Sequence, residues 1–98
     1  GTSVRFLVDG GASTTTLSAA AEAAAGVQPS GERRIVNTAN GQITVARATA
    51  ARLTIGSIER SGFTVDVTSR DSTDILGMNF LSSLDGWRVE NDELVLRP

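Results

Sequence analysis

The chain has no histidine, no cysteine, no lysine and no tyrosine among its 98 residues. Each absence excludes a chemistry. Without His or Cys there is no Ser-His-Asp or Cys-His nucleophile system, and the usual zinc and iron-sulfur ligands are missing. Without Lys there is no Schiff base and no phosphate-loop lysine. The absence of Cys leaves the redox compartment unread. There is no apolar run of 18 residues, so no segment reads as a membrane span. No basic region followed by an apolar one opens the chain, so no signal peptide is read.

What is there is ordinary globular material. Hydrophobic residues make up 40% and charged residues 20%, with a formal net charge of −2. A pI near 4.9 argues against nucleic acid as the main partner. The length fits one domain, residues 1–98, and is short for a deep two-lobed cleft. The groups left for acid-base work are eleven carboxylates, with nine arginines as electrostatic partners. An enzyme built from this inventory is a carboxylate enzyme.

The patterning is mostly of period two, which is the signature of strands. Val4, Phe6 and Val8 alternate with Arg5, Leu7 and Asp9. Asp9-Gly10-Gly11-Ala12-Ser13 breaks that strand as a tight turn. Leu17 to Ala25 is the best helix signal, with Ser18 placed to cap its start and Gly26 to cap its end. Pro29-Ser30-Gly31 reads as a loop, and Ile35 to Ala39 as a strand. Asn40-Gly41 then predicts a hairpin turn, because a type I′ turn takes positive φ at both central positions.

Gln42 to Ile55 reads as a long strand and Gly56-Ser57 as a second turn. Phe63, Val65 and Val67 alternate with Thr64, Asp66 and Thr68 in a half-buried strand. Ile75-Leu76 is a short apolar run before Gly77, and Met78 to Leu84 has helical spacing. Val89-Glu90 and Leu94 to Leu96 form a last hairpin around Asn91-Asp92. Six or seven short strands with one or two short helices predict an all-β domain, a small closed β-barrel or a sandwich.

Asp-Gly-Gly alone is only a turn signal, and Asn40-Gly41 alone only a hairpin. Trp87 reads as a core or rim anchor, and Arg33-Arg34 as a solvated pair. Asp71, Asp74 and Asp85 read as loop and turn residues, with no oxygen-rich loop of the calcium-binding kind, so no metal site is expected.

Three segments taken together carry more. Phe6-Leu7-Val8-Asp9-Gly10-Gly11-Ala12-Ser13 resembles the active-site segment of retropepsin-like aspartic proteases, which reads apolar residues, then Asp-Thr-Gly-Ala-Ser or Asp-Ser-Gly-Ala. Asp74-Ile75-Leu76-Gly77-Met78-Asn79-Phe80-Leu81 resembles that family's apolar-apolar-Gly segment and its following short helix. Asn37 to Ala46 stands where the family has its flap hairpin. The three appear in the family's order across residues 4 to 84 and are most similar to its bacterial group.

The resemblance implies a closed barrel of the acid-protease type and an aspartic endopeptidase without metal or cofactor. It implies that Asp9 is catalytic, and that Gly11, Ala12, Ala39, Asn40, Gly41 and Gln42 hold the substrate. Two aspartates about 3 Å apart can share one proton, so that one is base and the other acid. With one such turn in the chain, the resemblance implies a C2 homodimer that brings two Asp9 carboxylates together across its axis. The implied partners are a peptide or protein substrate and a second copy of the chain. Bacterial relatives are often periplasmic, some held by a membrane helix, and this sequence carries no segment that fixes its own location.

The chain departs from the pattern at Gly10, where the family has Thr or Ser. In the family that hydroxyl belongs to the hydrogen bonds interlocking the two catalytic loops. The alternative implied is an attenuated or inactive domain of the same fold, serving peptide binding or dimerisation. A second departure is the near absence of an N-terminal strand ahead of Val4, which leaves open how a dimer is sealed. An unrelated β-barrel interaction domain requires the three-part match to be chance.

Overall fold

The computed structural model describes residues 3–38, 41–68 and 73–98. Its elements run in chain order as β1 (Phe6–Val8), β2 (Thr16–Leu17), α1 (Ala19–Ala25), β3 (Gln28–Thr38), β4 (Gly41–Ile55), β5 (Ile58–Thr68), β6 (Asp74–Leu76), α2 (Met78–Leu81), β7 (Gly86–Glu90) and β8 (Glu93–Arg97). β1 to β6 form one sheet in the order β1-β6-β2-β5-β4-β3, and β7 pairs with β8 in a separate hairpin. The six-stranded sheet curls into a half-barrel, and the expected all-β, acid-protease-type architecture with two short helices is what the chain adopts.

Two long antiparallel ladders make up most of the sheet. β4 and β5 pair from Val45↔Thr68 to Ile55↔Ile58, closed by Gly56 at φ 60° and Ser57. β3 and β4 pair from Arg33↔Ala46 to Thr38↔Gly41. Gly41 therefore opens β4 instead of sitting second in the turn; Ala39 and Asn40 lie outside the described residues.

The expected loop at Pro29–Gly31 is instead a shift of register inside β3, between Pro29 and Arg33. Proline has no N–H to give the ladder, and Gly31 takes φ 88°, so the segment is absorbed as a bulge. The other elements fall close to expectation. α1 begins after Leu17, which belongs to β2; the Ser18 side chain accepts from the Ala21 N–H and Gly26 closes the helix in the left-handed conformation. α2 ends at Leu81, and the segment to Leu84 continues as tighter turns, Ser83 to Phe80 and Leu84 to Leu81. The last hairpin is longer than predicted, with Asn91 and Asp92 at φ 51° and 62°, the pair of positive angles a type I′ turn takes.

The core lies between the sheet and the two helices. It gathers Leu17, Ala21, Ala48, Ile58, Phe63, Val65, Val67, Leu76, Phe80, Leu81 and Leu84. Phe80 is fully buried and meets Phe63 edge-on, with ring centroids 6.2 Å apart. The Arg60 guanidinium covers its other side, 5.8 Å from the ring centre.

β1 and β6 are distant in sequence yet pair in parallel, Phe6↔Asp74, Leu7↔Ile75 and Val8↔Leu76. The turn after β1 is thereby laid against the turn after β6. Gly77 sits at that crossing. A Cβ there would lie 2.6 Å from the Thr14 carbonyl carbon and 2.8 Å from both the Thr14 oxygen and the Thr15 nitrogen. These are backbone atoms on a buried segment and cannot give way cheaply. Gly77→Ala is expected to lower unfolding stability by about 3 kcal/mol, the upper range for overpacking. Urea denaturation followed by circular dichroism checks it, and a loss below about 1 kcal/mol would show the crossing to be soft.

Candidate active site

The candidate site is the turn that follows β1. Its backbone is fixed from both sides. The Asp9 N–H donates to the Leu76 carbonyl at 3.1 Å, and the Ala12 N–H donates to the Asp9 carbonyl at 3.1 Å. Further on, the Met78 N–H donates to the Ala12 carbonyl at 2.7 Å and the Asn79 N–H to the Ser13 carbonyl at 3.0 Å. Asp9 is half-buried, whereas Gly10 and Gly11 are exposed. The Gly11 N–H donates to Asp9 Oδ1 at 2.8 Å, which orients the carboxylate. A Cβ on Gly11 would stand 3.1 Å from that same oxygen, so the bare glycine is what leaves the carboxylate its place.

Beneath the turn lies a polar node. Thr15 is fully buried. Its hydroxyl accepts from the Gly77 N–H at 3.0 Å and donates to Asn79 Oδ1 at 2.8 Å. The same oxygen accepts from the Thr15 N–H at 2.8 Å, and Asn79 Nδ2 donates to the Thr64 carbonyl at 2.8 Å. Two side chains thus make four hydrogen bonds and join the Asp9 loop, α2 and β5. Sequence reasoning did not single out Thr15 or Asn79. The signal was thin: Thr15 is one of three consecutive threonines, and Asn79 is one polar residue in a short apolar helix.

Gly10 faces the β7–β8 hairpin. A Cβ on it would lie 3.3 Å from Trp87 Cη2, at the tight end of real contacts. Trp87 is 36% exposed and sits at the rim of the turn. Gly41 and Gln42 open β4 and are exposed, on the far arm of the β3–β4 hairpin from Asp9. Ala12 is half-buried inside the turn.

A second cluster was not foreseen. Asp66 was read as the polar face of a half-buried strand, yet its side chain is 3% exposed. Arg34 Nη2 donates to Asp66 Oδ2 and, at 3.1 Å, to Thr14 Oγ1. Arg47 Nη2 stands 3.6 Å from Asp66 Oδ1. Arg34 is therefore a bridge between β3, β5 and the end of the Asp9 loop, which corrects its reading as half of a solvated pair with Arg33. The hydrogen bond that Arg34 donates to Asp66, reinforced by the carboxylate's charge, raises the Arg34 pKa above the ordinary guanidinium value against a smaller opposing effect of burial. A cation whose folded pKa is raised contributes stability that is fully present below its unfolded pKa and is lost only as pH rises through the folded value. The available signal was a carboxylate in mid-strand facing a hairpin with four arginines.

Asp74, expected in a loop, is instead the first residue of β6, where its Oδ1 accepts from the Ser18 N–H at 2.7 Å. That bond fixes the start of α1. Asp85 lies in the bend before β7, and Asp71 lies outside the described residues. Among the described residues no group of three or more His, Cys, Asp or Glu is arranged to hold a metal ion.

The family described as gag-polyprotein putative aspartyl protease matches residues 1–83. A solved structure, a retropepsin-like aspartic protease from Rickettsia conorii, superposes with a TM-score of 0.74 at 29% identity, covering 95% of this chain and 72% of that one. A curated relative from a Sinorhizobium species, an uncharacterized protein in the cobV 5′ region, is 35% identical over 101 residues. That match takes in 99% of this chain but 43% of the relative, so the chain spans less than half of that protein's length. With a matching family that includes the Asp9 turn, the β3–β4 hairpin and the Gly77 crossing, this chain belongs to the gag-polyprotein aspartyl proteases and is retropepsin-like.

Proposed function

We propose that residues 1–98 are one aspartic endopeptidase domain that works as a C2 homodimer, with Asp9 of each subunit forming the catalytic pair. The observation that carries this reading is the Asp9 carboxylate, half-buried on a turn held by Leu76 and oriented by the Gly11 N–H. One ionised and one protonated aspartate would share a proton, since two like charges that close cannot both ionise. The ionised partner takes a proton from water as the water attacks the peptide carbonyl. The protonated partner polarises the carbonyl oxygen, and a proton is then passed to the leaving amine. Gly11 and Ala12 would line the floor of the cleft. Ala39, Asn40, Gly41 and Gln42 would form the flap and pair with the main chain of an extended substrate. No metal or cofactor enters this mechanism.

The dimer has support in exposed apolar side chains: Leu7 in β1 at 57%, and Val89 at 61% and Trp87 at 36% in β7, with Trp87 beside Gly10. The second reading, an attenuated or non-catalytic domain that binds peptide or dimerises, is favoured by one observation. Gly10 offers no hydroxyl to interlock two such loops, and the Trp87 ring already fills the space beside it.

Asp9→Ala is expected to abolish cleavage of a denatured protein substrate while leaving the circular dichroism spectrum unchanged; full activity in that variant would sink the peptidase reading. Gly10→Thr separates the two readings. The new side chain must move Trp87 by a few tenths of an ångström, so a small stability loss is expected alongside a rise in kcat of about tenfold, the value of one recovered buried hydrogen bond. Absence of cleavage in both the parent and Gly10→Thr would favour the binding domain. Analytical ultracentrifugation at micromolar concentration is expected to show a dimer, at least with a peptide inhibitor bound; monomer alone under both conditions would overturn the shared site.

A further inference from the structure

Resting on the reading that an extended peptide lies between the β3–β4 hairpin and the Asp9 turn, we infer that Arg34 and Arg47 form a side pocket of that cleft that selects an acidic side chain of the substrate. The ladder places the three charges on one face of the sheet. Arg47 is registered opposite Asp66. Arg34 is registered opposite Val45, two residues along β4 from Arg47. Both guanidinium groups converge on the one Asp66 carboxylate, so the cluster holds one cation in excess, in a chain whose net charge is −2.

Burial decides which way the excess faces. The Asp66 side chain is 3% exposed, whereas those of Arg34 and Arg47 are 42% and 32% exposed. The anion is inside and the cations reach the surface. The Arg34 contact with Thr14 Oγ1 ties this surface to the loop that begins at Asp9, five residues earlier. The pocket therefore flanks the turn instead of covering it, which suits a specificity pocket on one side of the scissile bond.

The cluster is also incompletely paired. Asp66 Oδ1 and Arg47 Nε are buried, and neither has a hydrogen-bond partner among the described residues. Buried polar groups are normally satisfied. An arriving carboxylate supplies acceptors for the exposed guanidinium edges, though not for the buried Asp66 oxygen, and matches their planar fork, which neither an amide nor a cation does. Arg33 does not share in this. It is registered opposite Ala46, on the alternate face of β3 from Arg34, and lines a groove that also carries Glu22.

Synthetic peptides with Glu, Gln or Lys at each position in turn of one cleaved sequence test the inference. At one position kcat/KM is expected to fall in the order Glu, Gln, Lys, with a Glu-to-Gln ratio of roughly five to ten, the value of one charge-assisted contact. Arg34→Gln and Arg47→Gln should each bring that ratio towards one. Asp66→Asn should raise it, an opposite change that damage to the fold does not mimic. The absence of any discriminating position, or a ratio unchanged in the double arginine variant, overturns the pocket. The same Glu and Gln peptides, fluorescein-labelled, are titrated onto the Asp9→Asn variant and read by anisotropy. If the parent protein cuts nothing, the peptidase reading fails by itself, and equal binding of the two peptides would remove the pocket separately.

Discussion

The structure depends on a hydrogen-bonded crossing between two segments more than sixty residues apart. Thr15 and Asn79 meet inside the sheet, and each uses its side chain to replace a ladder that neither segment could make alone. The short strands β1, β2 and β6 have three, two and three residues, too few to hold position by pairing. The node supplies what they lack. It satisfies the Thr64 carbonyl at the surface, the Thr15 N–H in a part-buried position and the Gly77 N–H in a buried one. In such a place an unmade bond costs more than a made one gains. The Asp9 turn inherits its rigidity from this node.

The long strands have a different role. β3, β4 and β5 carry most of the ladder and one wall of the core, and their hairpins extend from the barrel as arms. Where the arm returns to the body, Arg34 spans from β3 to Asp66 and Thr14. An apolar contact there would slide; a two-ended arginine fixes distance and direction. The cost is a buried carboxylate that must keep its cations.

The sequence revealed the periodic and the punctuated parts most clearly. Val4 to Val8, Phe63 to Val67, Gly26 and Asn91-Asp92 carry signals that lie within a few residues, and each was readable. The pairing of β1 with β6 was legible only through likeness to a family, because no local pattern links Phe6 to Asp74. The bulge at Pro29–Gly31 was read as a loop, since proline and glycine announce a break without saying whether the strand resumes. Asp66 was misjudged for a related reason. Period two distinguishes the faces of a strand but not whether the outer face is covered, and here β3 and its arginine cover it. The candidate residue Asp9 stands out by its motif; Thr15 and Asn79, which lie beneath its turn, do not, because their partners are set by the tertiary crossing.

The parallel pairing of Phe6–Val8 with Asp74–Leu76 has a consequence for timing. The first strand emerges from the ribosome long before its neighbour exists, and at roughly 5–20 residues per second the wait lasts several seconds. The intervening hairpins pair residues close in sequence, whereas the Asp9 turn must await β6. Closure across so long a loop is slow to reach and late to be rewarded. A carboxylate whose turn is anchored on β6 stays unassembled until that strand has been made.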